Sequence, residues 1–210
     1  MSELFELKYG PKSLGDFVFP SEESRNVVRR YLELGTRFQI LPHGQTGTGK
    51  SALGRLICEA VDGQPVQREQ ILECGHDITP RDFAGKVGSL RGAFSHLFDS
   101  HRVVVIEEID RLPKRLQEAL CHLTCAPDFP ISVVMTTNFV DRLGPSLRSR
   151  FLGIPFGYRP RADWLPRLRS VAAASNRPQS DEVLLPLFQP WNGDFRQVVK
   201  RLELLPIIAR

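Results

Sequence analysis

The chain of 210 residues is 41% hydrophobic and 25% charged, with a formal net charge of +4. This is the composition of a globular protein long enough for one α/β domain and a small appendage, and it excludes a disordered chain. Its apolar runs are too short to cross a membrane, and Met1 to Gly10 has no signal-peptide pattern, so we expect a cytoplasmic protein. The mild basic charge is compatible with nucleic acid without establishing that partner.

The N-terminal segment, residues 1–20, is predicted to be an extended leader because glycine and proline interrupt any periodicity. Ser21 then offers a helix N-cap, and apolar residues recur at helical spacing until Gly35. The cysteines form no C-x-x-C pair, and we interpret all of them as buried thiols in a reducing compartment. They are Cys58, Cys74, Cys121 and Cys125.

The segment GQTGTGKS, from Gly44 to Ser51, fits the phosphate-binding P-loop. Glycines stand where backbone N–H groups must approach phosphate closely, Lys50 is placed to reach the β- and γ-phosphates, and the Ser51 hydroxyl to bind Mg²⁺. The apolar run FQIL before it predicts a strand, and a helix with Leu53, Ile57 and Ala60 on one face is predicted after it. The whole loop is therefore predicted to bind a nucleoside triphosphate. Its residues are Gly44, Gln45, Thr46, Gly47, Thr48, Gly49, Lys50 and Ser51.

Two further strands are predicted to end in polar residues. Four β-branched residues, Val103 to Ile106, are typical of a strand buried on both faces, and they lead directly into Glu107 and Glu108. Residues 131–138, ISVVMTTN, predict a strand that ends at Asn138. Ligands gather at the carboxyl ends of strands in open α/β sheets, so these side chains are candidates for one site.

The periodicity breaks after the segment LRSRF, which we interpret as a turn, and we place a domain boundary near Tyr158. Three helical patterns follow, at residues 162–175, 181–189 and 194–205. The predicted fold is a parallel α/β P-loop sheet flanked by helices, with a small C-terminal three-helix lid. The predicted units are a leader (1–20), a core (21–157) and the lid (158–210).

These motifs together resemble the AAA+ ATPases, and most closely the clamp-loader branch of bacterial clamp-loader and replication factor C subunits. The N-terminal YGPKSLGDFVF is similar to the leader that wraps adenine in that branch, although Gly10 replaces the usual arginine. VVVIEEIDRL resembles the Walker B strand, with Glu107 where the family has aspartate. SVVMTTN resembles sensor 1, LRSRF the S-R-C motif, and GDFRQVVKRLE the sensor-2 helix.

The resemblance implies a role for each matched residue. Glu107 would help Ser51 hold Mg²⁺, Glu108 would orient the attacking water, and Asn138 and Arg196 would contact the γ-phosphate or that water. ATP would be the nucleotide. Residues of the leader would line the adenine side: Tyr9, Pro11, Phe17 and Val18.

Arg150 has a different implied role, because the arginine of S-R-C reaches into the site of a neighbouring subunit. A cation supplied in trans stabilises the transition state, so hydrolysis would require a homo- or hetero-oligomer. Arg148 is the alternative finger. A helix is predicted from Thr79 to about Leu97, and another from Pro113 to Thr124. Basic residues in and just before these helices match the family's DNA-contacting regions approximately, and they would contact the phosphate backbone. They are Arg81, Lys86, Arg91, Arg111, Lys114 and Arg115.

The sequence therefore predicts a Mg²⁺-dependent ATPase that loads or remodels a protein–DNA assembly, with a sliding clamp or another protein as the target. The chain ends at Arg210, just after the sensor-2 helix, whereas the branch continues into a helical collar. We expect either an AAA+ protein shortened after the lid or part of a longer one. Alternatives are a nucleotide-gated binding module with little hydrolysis, a branch-migration helicase and an initiator-type loader.

Overall fold

A computed structural model describes residues 5–35, 37–75, 103–127, 129 and 131–206. Across these ranges, no helix is both long and apolar enough to cross a membrane. The strands are β1 (Gln39–Gly44), β2 (Ile71–Glu73), β3 (Val103–Glu107), β4 (Ser132–Met135) and β5 (Leu152–Phe156). The α-helices are α1 (Phe5–Lys8), α2 (Glu22–Leu34), α3 (Lys50–Asp62), α4 (Lys114–Thr124), α5 (Pro145–Arg150), α6 (Arg161–Ala174), α7 (Asp181–Leu184) and α8 (Phe195–Glu203).

The strands form one five-stranded sheet in the order β2-β3-β4-β1-β5, and every neighbouring pair is parallel. All residues of β3 and β4 are buried, because helices cover both faces of the sheet. Since the strands run in one direction, their carboxyl ends meet at one edge. The predicted parallel α/β P-loop fold is confirmed, and that edge carries the P-loop and the acidic residues.

Two apolar clusters hold helices to the sheet. Ile106, Leu120 and Leu147 belong to the cluster between the sheet and α4 and α5. On the other face, α3 lies so close to β3 that a Cβ atom added at Gly54 would be 2.9 Å from a methyl carbon of Val105. A larger residue at this position would force either the helix or the Val105 side chain to shift. The P-loop helix and the strand that carries the acids are therefore packed as one unit.

The C-terminal helices have an apolar cluster of their own. Trp164 of α6, Leu184 of α7 and Leu202 of α8 are buried in it, and Tyr9 of the leader packs against it. The leader is therefore fixed to the lid as well as to the core. This arrangement brings the chain's N-terminal and C-terminal parts to the same side of the P-loop.

Several details differ from the sequence interpretation. The leader contains a helix, α1, which is too short to show periodicity. Ala60 is exposed on α3, whereas Leu53 and Ile57 are buried as expected. Ser149 and Arg150 belong to the end of α5 and not to an irregular turn.

Two smaller differences concern the lid and the thiols. The second lid pattern is a one-turn helix, α7, followed by the 3-10 helix Leu185–Phe188, because Pro186 cannot donate a helical hydrogen bond. Three cysteines are buried, but Cys125 at the end of α4 is only partly buried. None of the four is in a disulfide.

Candidate functional site

A cavity of about 460 Å³ opens at the carboxyl ends of the strands. It is lined by the leader, the P-loop, helix α3, the ends of β3 and β4, and the lid helices α6 and α8. Pockets of this size hold small molecules of the size of a cofactor. The parallel sheet and the lid cluster thus bring together segments that are far apart in the sequence.

The P-loop connects β1 to α3, and Gly49 with φ of 100° precedes the first helical residue, Lys50. The Lys50 Nζ atom donates to the carbonyl oxygens of Gly44 at 2.8 Å and Gln45 at 2.6 Å. Burial, and after it the nearby Arg196 guanidinium, lower the pKa of Lys50 to about 8. This lysine is therefore a partly desolvated cation beside loop amides at a helix N-terminus, where anions bind favourably.

Six of the eight predicted P-loop residues line the cavity, from Thr46 to Ser51. Gly44 and Gln45 do not. Gly44, with φ of 124°, ends β1, and a Cβ atom there would overlap the backbone of Phe156. The Gln45 side chain donates to the backbone oxygen of Asn192 in the lid. These two residues therefore fix the loop to its surroundings instead of facing the cavity.

Glu107 and Glu108 both line the cavity, and each is paired with an arginine. Glu107 is buried, and its Oε1 atom lies 3.4 Å from Nη2 of Arg55 on α3. Glu108 has a left-handed backbone with φ of 57°, and its Oε2 atom lies 2.8 Å from Nε of Arg111. Both carboxylates thus line the cavity, each with an arginine counter-ion that the sequence interpretation did not include.

Asn138 follows β4 and also lines the cavity, where its Oδ1 atom accepts a 3.4 Å hydrogen bond from Thr46 of the P-loop. Asp110 holds this segment in place: its Oδ1 atom accepts from the Thr137 hydroxyl at 2.6 Å and from the Asn138 backbone N–H at 3.2 Å. Sequence reasoning missed Asp110. The signal was present as a third acid close behind Glu107 and Glu108.

The leader residues Tyr9, Pro11, Phe17 and Val18 line the cavity, and Tyr9 and Val18 also pack against the apolar cluster of the lid. Arg167 of α6 donates from Nη2 to the Tyr9 carbonyl oxygen at 2.8 Å, which fastens the leader to the lid. Burial lowers the pKa of Arg167, and Asp16 opposes that change.

Helix α8 faces the P-loop through its first turn. Asp194 accepts a 3.0 Å hydrogen bond from the Arg196 backbone N–H, which caps the helix, and its carboxylate lies against Gly47. Gly47 has φ of 74°, and a Cβ atom there would overlap that carboxylate. Arg196 lines the cavity. The rings of Trp164 and Phe195 also line it, stacked with centroids 4.6 Å apart, and sequence reasoning identified neither.

Ser51 and Glu107 offer hard oxygen atoms to the cavity, which suits Mg²⁺. Within the described ranges, no group of three or more His, Cys, Asp or Glu side chains is placed to hold a metal ion. Mg²⁺ typically binds through one or two protein ligands together with substrate phosphates and water. The donor set therefore fits a magnesium ion that arrives with a nucleotide.

The other predicted residues lie elsewhere. Arg148 and Arg150 are exposed on α5 and do not line the cavity. Arg111, Lys114 and Arg115 are exposed around the start of α4. The remaining predicted DNA contacts, Arg81, Lys86 and Arg91, lie outside the described residues.

Comparison with known proteins identifies the family to which the chain belongs. The family model described as "ATPase family associated with various cellular activities (AAA)" matches residues 40–156. The chain is 26% identical to replication factor C subunit 4 of Caenorhabditis elegans, over 96% of this chain and 62% of that protein. It is 24% identical to replication factor C small subunit 2 of Pyrobaculum aerophilum, over 100% of this chain and 66% of that protein. It therefore spans just under two thirds of the length of these relatives.

Among solved structures, a point mutant of RuvB from Thermotoga maritima matches with a TM-score of 0.72 and 20% sequence identity. The match covers 93% of this chain and 65% of that one, and at this identity it shows the fold alone. The similarities to replication factor C subunits confirm the resemblance drawn from the motifs. The chain belongs to the AAA family of ATPases and is clamp-loader-like within it.

Proposed function

We propose that the protein is a Mg²⁺-dependent ATPase that couples ATP binding and hydrolysis to loading or remodelling of a protein–DNA assembly, in the manner of a clamp-loader subunit. One observation carries the proposal. A single cavity is lined by Lys50, Glu107, Glu108, Asn138 and Arg196. A phosphoryl-transfer site needs a phosphate-binding loop, a metal-binding acid, a group that orients water, and cations for the developing charge.

The cavity would bind ATP with its triphosphate on the P-loop and its base between the leader and the lid. The backbone N–H groups before α3 and the Lys50 ammonium would hold the phosphates. Tyr9, Pro11, Phe17 and Val18 would enclose the adenine from the leader side. The proposed units are the leader (1–20), the ATPase core (21–157) and the lid (158–210), and nucleotide would bind between all three.

Ser51 and Glu107 would hold the magnesium ion, which would supply positive charge to the phosphates. Glu108 would orient the attacking water through its carboxylate. Asn138 is the second polar group for that water or for the γ-phosphate, and Asp110 keeps its backbone in place. Arg196 would contact the γ-phosphate from the lid. The position of the lid would therefore depend on whether the γ-phosphate is present.

Arg150 would complete the site of a neighbouring AAA+ subunit. Its exposed position on α5, away from its own cavity, supports this role. The proposed assembly is therefore an oligomer of this chain or of this chain with related subunits. DNA would bind through backbone contacts from exposed basic residues such as Lys114 and Arg115, and a sliding clamp or another protein would be the loaded target.

A second candidate function is a nucleotide-gated binding module with slow hydrolysis. The pairing of Glu107 with Arg55 and of Glu108 with Arg111 favours it, because a carboxylate held by an arginine is less available to metal or water. In that case ATP would control assembly, and its cleavage would be secondary. Turnover measured with and without DNA, and at rising protein concentration, separates the two functions.

The direct test replaces Lys50 and Glu108 separately. Lys50→Ala should abolish binding of a fluorescent ATP analogue, because the cation facing the phosphates is lost. Glu108→Gln should keep nucleotide affinity and lower turnover at least about tenfold, because the amide cannot polarise water as a carboxylate does.

Glu118→Gln, at an exposed position on α4, is the matched control and should leave turnover unchanged. Unchanged nucleotide affinity in Lys50→Ala would contradict the assignment of the P-loop as the phosphate-binding site. If Glu107→Gln stopped turnover while Glu108→Gln did not, the roles of the two acids would be reversed.

A further inference from the structure

Arg55 lies on α3 one helical turn after Ser51, the hydroxyl residue of the proposed magnesium site. Residues four apart on a helix share a face, with Cβ atoms roughly 5–6 Å apart. Arg55, Ser51 and Glu107 all line the cavity. The guanidinium group is therefore placed beside the position that a metal ion would take between the serine and the acid.

The contact between Arg55 and Glu107 is a loose one. Nη2 of Arg55 lies 3.4 Å from Oε1 of Glu107, which is longer than the usual charge-assisted hydrogen bond of about 2.7–2.9 Å. The Arg55 Nε atom is buried and has no hydrogen-bond partner among the described residues. A guanidinium held by charge, without a paired set of hydrogen bonds, can leave Glu107 at small cost.

We propose that Arg55 competes with the divalent cation for Glu107, and that this competition sets the metal concentration that the nucleotide complex requires. The proposal rests on the nucleotide site described above. While Arg55 is paired with Glu107, the acid offers little net charge to Mg²⁺, and the guanidinium repels the incoming ion. Nucleotide can then bind with weak dependence on metal, and the metal binds only when Arg55 moves aside.

A second acid gives the displaced arginine another partner. Glu59 is one turn further along α3 and also lines the cavity. Arg55 and Glu59 are again four residues apart, so their side chains can meet on the same face. Metal binding at Glu107 would therefore let the guanidinium turn toward Glu59, whose Oε1 atom accepts a 3.5 Å hydrogen bond from the Val66 backbone N–H.

The test measures metal binding and not activity. The probes are N-methylanthraniloyl-ADP, followed by fluorescence with and without EDTA, and Mn²⁺, followed by electron paramagnetic resonance on the protein–ADP complex. Arg55→Gln removes the charge and keeps a polar side chain, whereas Arg55→Lys keeps the charge. Glu107→Gln, alone and combined with Arg55→Gln, completes a double-mutant cycle. This cycle measures the effect of the interaction between Arg55 and Glu107 on metal affinity.

Arg55→Gln should lower the half-saturating Mn²⁺ concentration at least about tenfold, since a unit charge close to the metal is removed. Arg55→Lys should stay near the wild-type value. In the Glu107→Gln background, Arg55→Gln should raise Mn²⁺ affinity by a smaller factor, because the acid that Arg55 neutralises is absent. Thermal melting and circular dichroism identify unfolded variants, and Arg55→Met, which keeps the aliphatic stem, replaces Arg55→Gln if that variant does not fold.

Two results overturn the proposal. One is a Mn²⁺ affinity that is the same in wild type, Arg55→Gln and Arg55→Lys. The other is an equal increase in Mn²⁺ affinity on Arg55→Gln with and without the Glu107 carboxylate, which would mean that Arg55 acts on the metal without that acid. In both cases nucleotide still binds, so only the role of Arg55 fails. If wild type binds no N-methylanthraniloyl-ADP with or without metal, the proposed function fails and the role of Arg55 with it.

Discussion

Burial and the neighbouring Arg196 guanidinium together lower the pKa of Lys50 to about 8. Nucleotide phosphates favour the charged ammonium, so binding should raise this pKa again. Well below pH 8 the lysine is already charged, so its protonation adds no pH dependence to nucleotide affinity there. Above pH 8 the free protein must take up a proton to bind, so affinity should fall by up to about tenfold per pH unit.

Titration of N-methylanthraniloyl-ADP between pH 6.5 and pH 9.5, all in EDTA, measures this dependence directly. Calorimetry in buffers with different ionisation enthalpies should detect proton uptake near pH 9. Lys50→Arg is the matched control, because its guanidinium stays charged over the whole range. A wild-type affinity that is flat to pH 9.5 would contradict the altered lysine pKa.

At the scale of single elements, α8 is connected to the P-loop through its own N-cap. The Asp194 carboxylate accepts the Arg196 N–H and lies against Gly47. Asp194→Ala should cost about 1 kcal/mol of unfolding free energy, as the loss of a helix cap usually does. It should also weaken nucleotide binding, because the turn that positions Arg196 over the cavity would no longer touch the loop.

Ser21 caps α2 with a comparable bond, accepting the Ser24 N–H at 3.0 Å, and it does not line the cavity. Ser21→Ala is therefore the control, with a similar loss of stability and unchanged nucleotide affinity. Chemical denaturation gives the first quantity, and fluorescence titration gives the second. Equal effects of both variants on affinity would show that Asp194 acts only through stability.

The exposed start of α4 is the element proposed to bind DNA. Lys114→Ala combined with Arg115→Ala should weaken binding similarly on unrelated DNA sequences and reduce the salt slope by about 0.9 for each phosphate that is no longer neutralised. Arg111 is left unchanged in this variant, because it is paired with Glu108 and its removal would also alter the acid.

Arg29→Ala combined with Arg30→Ala on α2 removes the same amount of charge from another exposed surface. This control separates a local effect from a general change in charge. Fluorescence anisotropy at several salt concentrations provides the measurement. If both pairs change the slope equally, α4 has no special role in binding DNA.

At the scale of the whole molecule, the prediction concerns assembly. Arg150→Ala should leave nucleotide binding nearly intact and remove most turnover, because the interaction that it removes belongs to the transition state. Lys50→Ala, which keeps Arg150, should be inactive for the opposite reason. When the two inactive proteins are mixed, part of the ATPase activity should return, since some interfaces combine an intact P-loop with an intact arginine.

Co-assembly of the two variants must be shown separately, for example by native mass spectrometry of differently tagged chains. Arg148→Ala is the neighbouring exposed control and should retain turnover. If the variants co-assemble without recovery, and Arg150→Ala alone hydrolyses ATP normally, Arg150 is an ordinary surface residue. Loss of turnover in Arg148→Ala alone would move the role to that arginine.

The sequence predicted the parts of this molecule that depend on local pattern. Four consecutive β-branched residues identified β3, and the glycines with Lys50 and Ser51 identified the phosphate loop. The pairing of Arg55 with Glu107 joins residues 52 positions apart, and only the packing of α3 on β3 brings them together. Helix α1 was missed for another reason, because four residues are too few for a helical period.

At Glu108, backbone stability and the catalytic role proposed for its carboxylate place opposite demands on the residue type. Its backbone has φ of 57°, a conformation that costs most residues roughly 1–2 kcal/mol and costs glycine almost nothing. Glycine at this position would relieve the strain and remove the carboxylate that faces the cavity. Glycine would thus favour the backbone of this turn and abolish the catalytic role proposed for Glu108, so selection for thermal stability alone would favour loss of the acid.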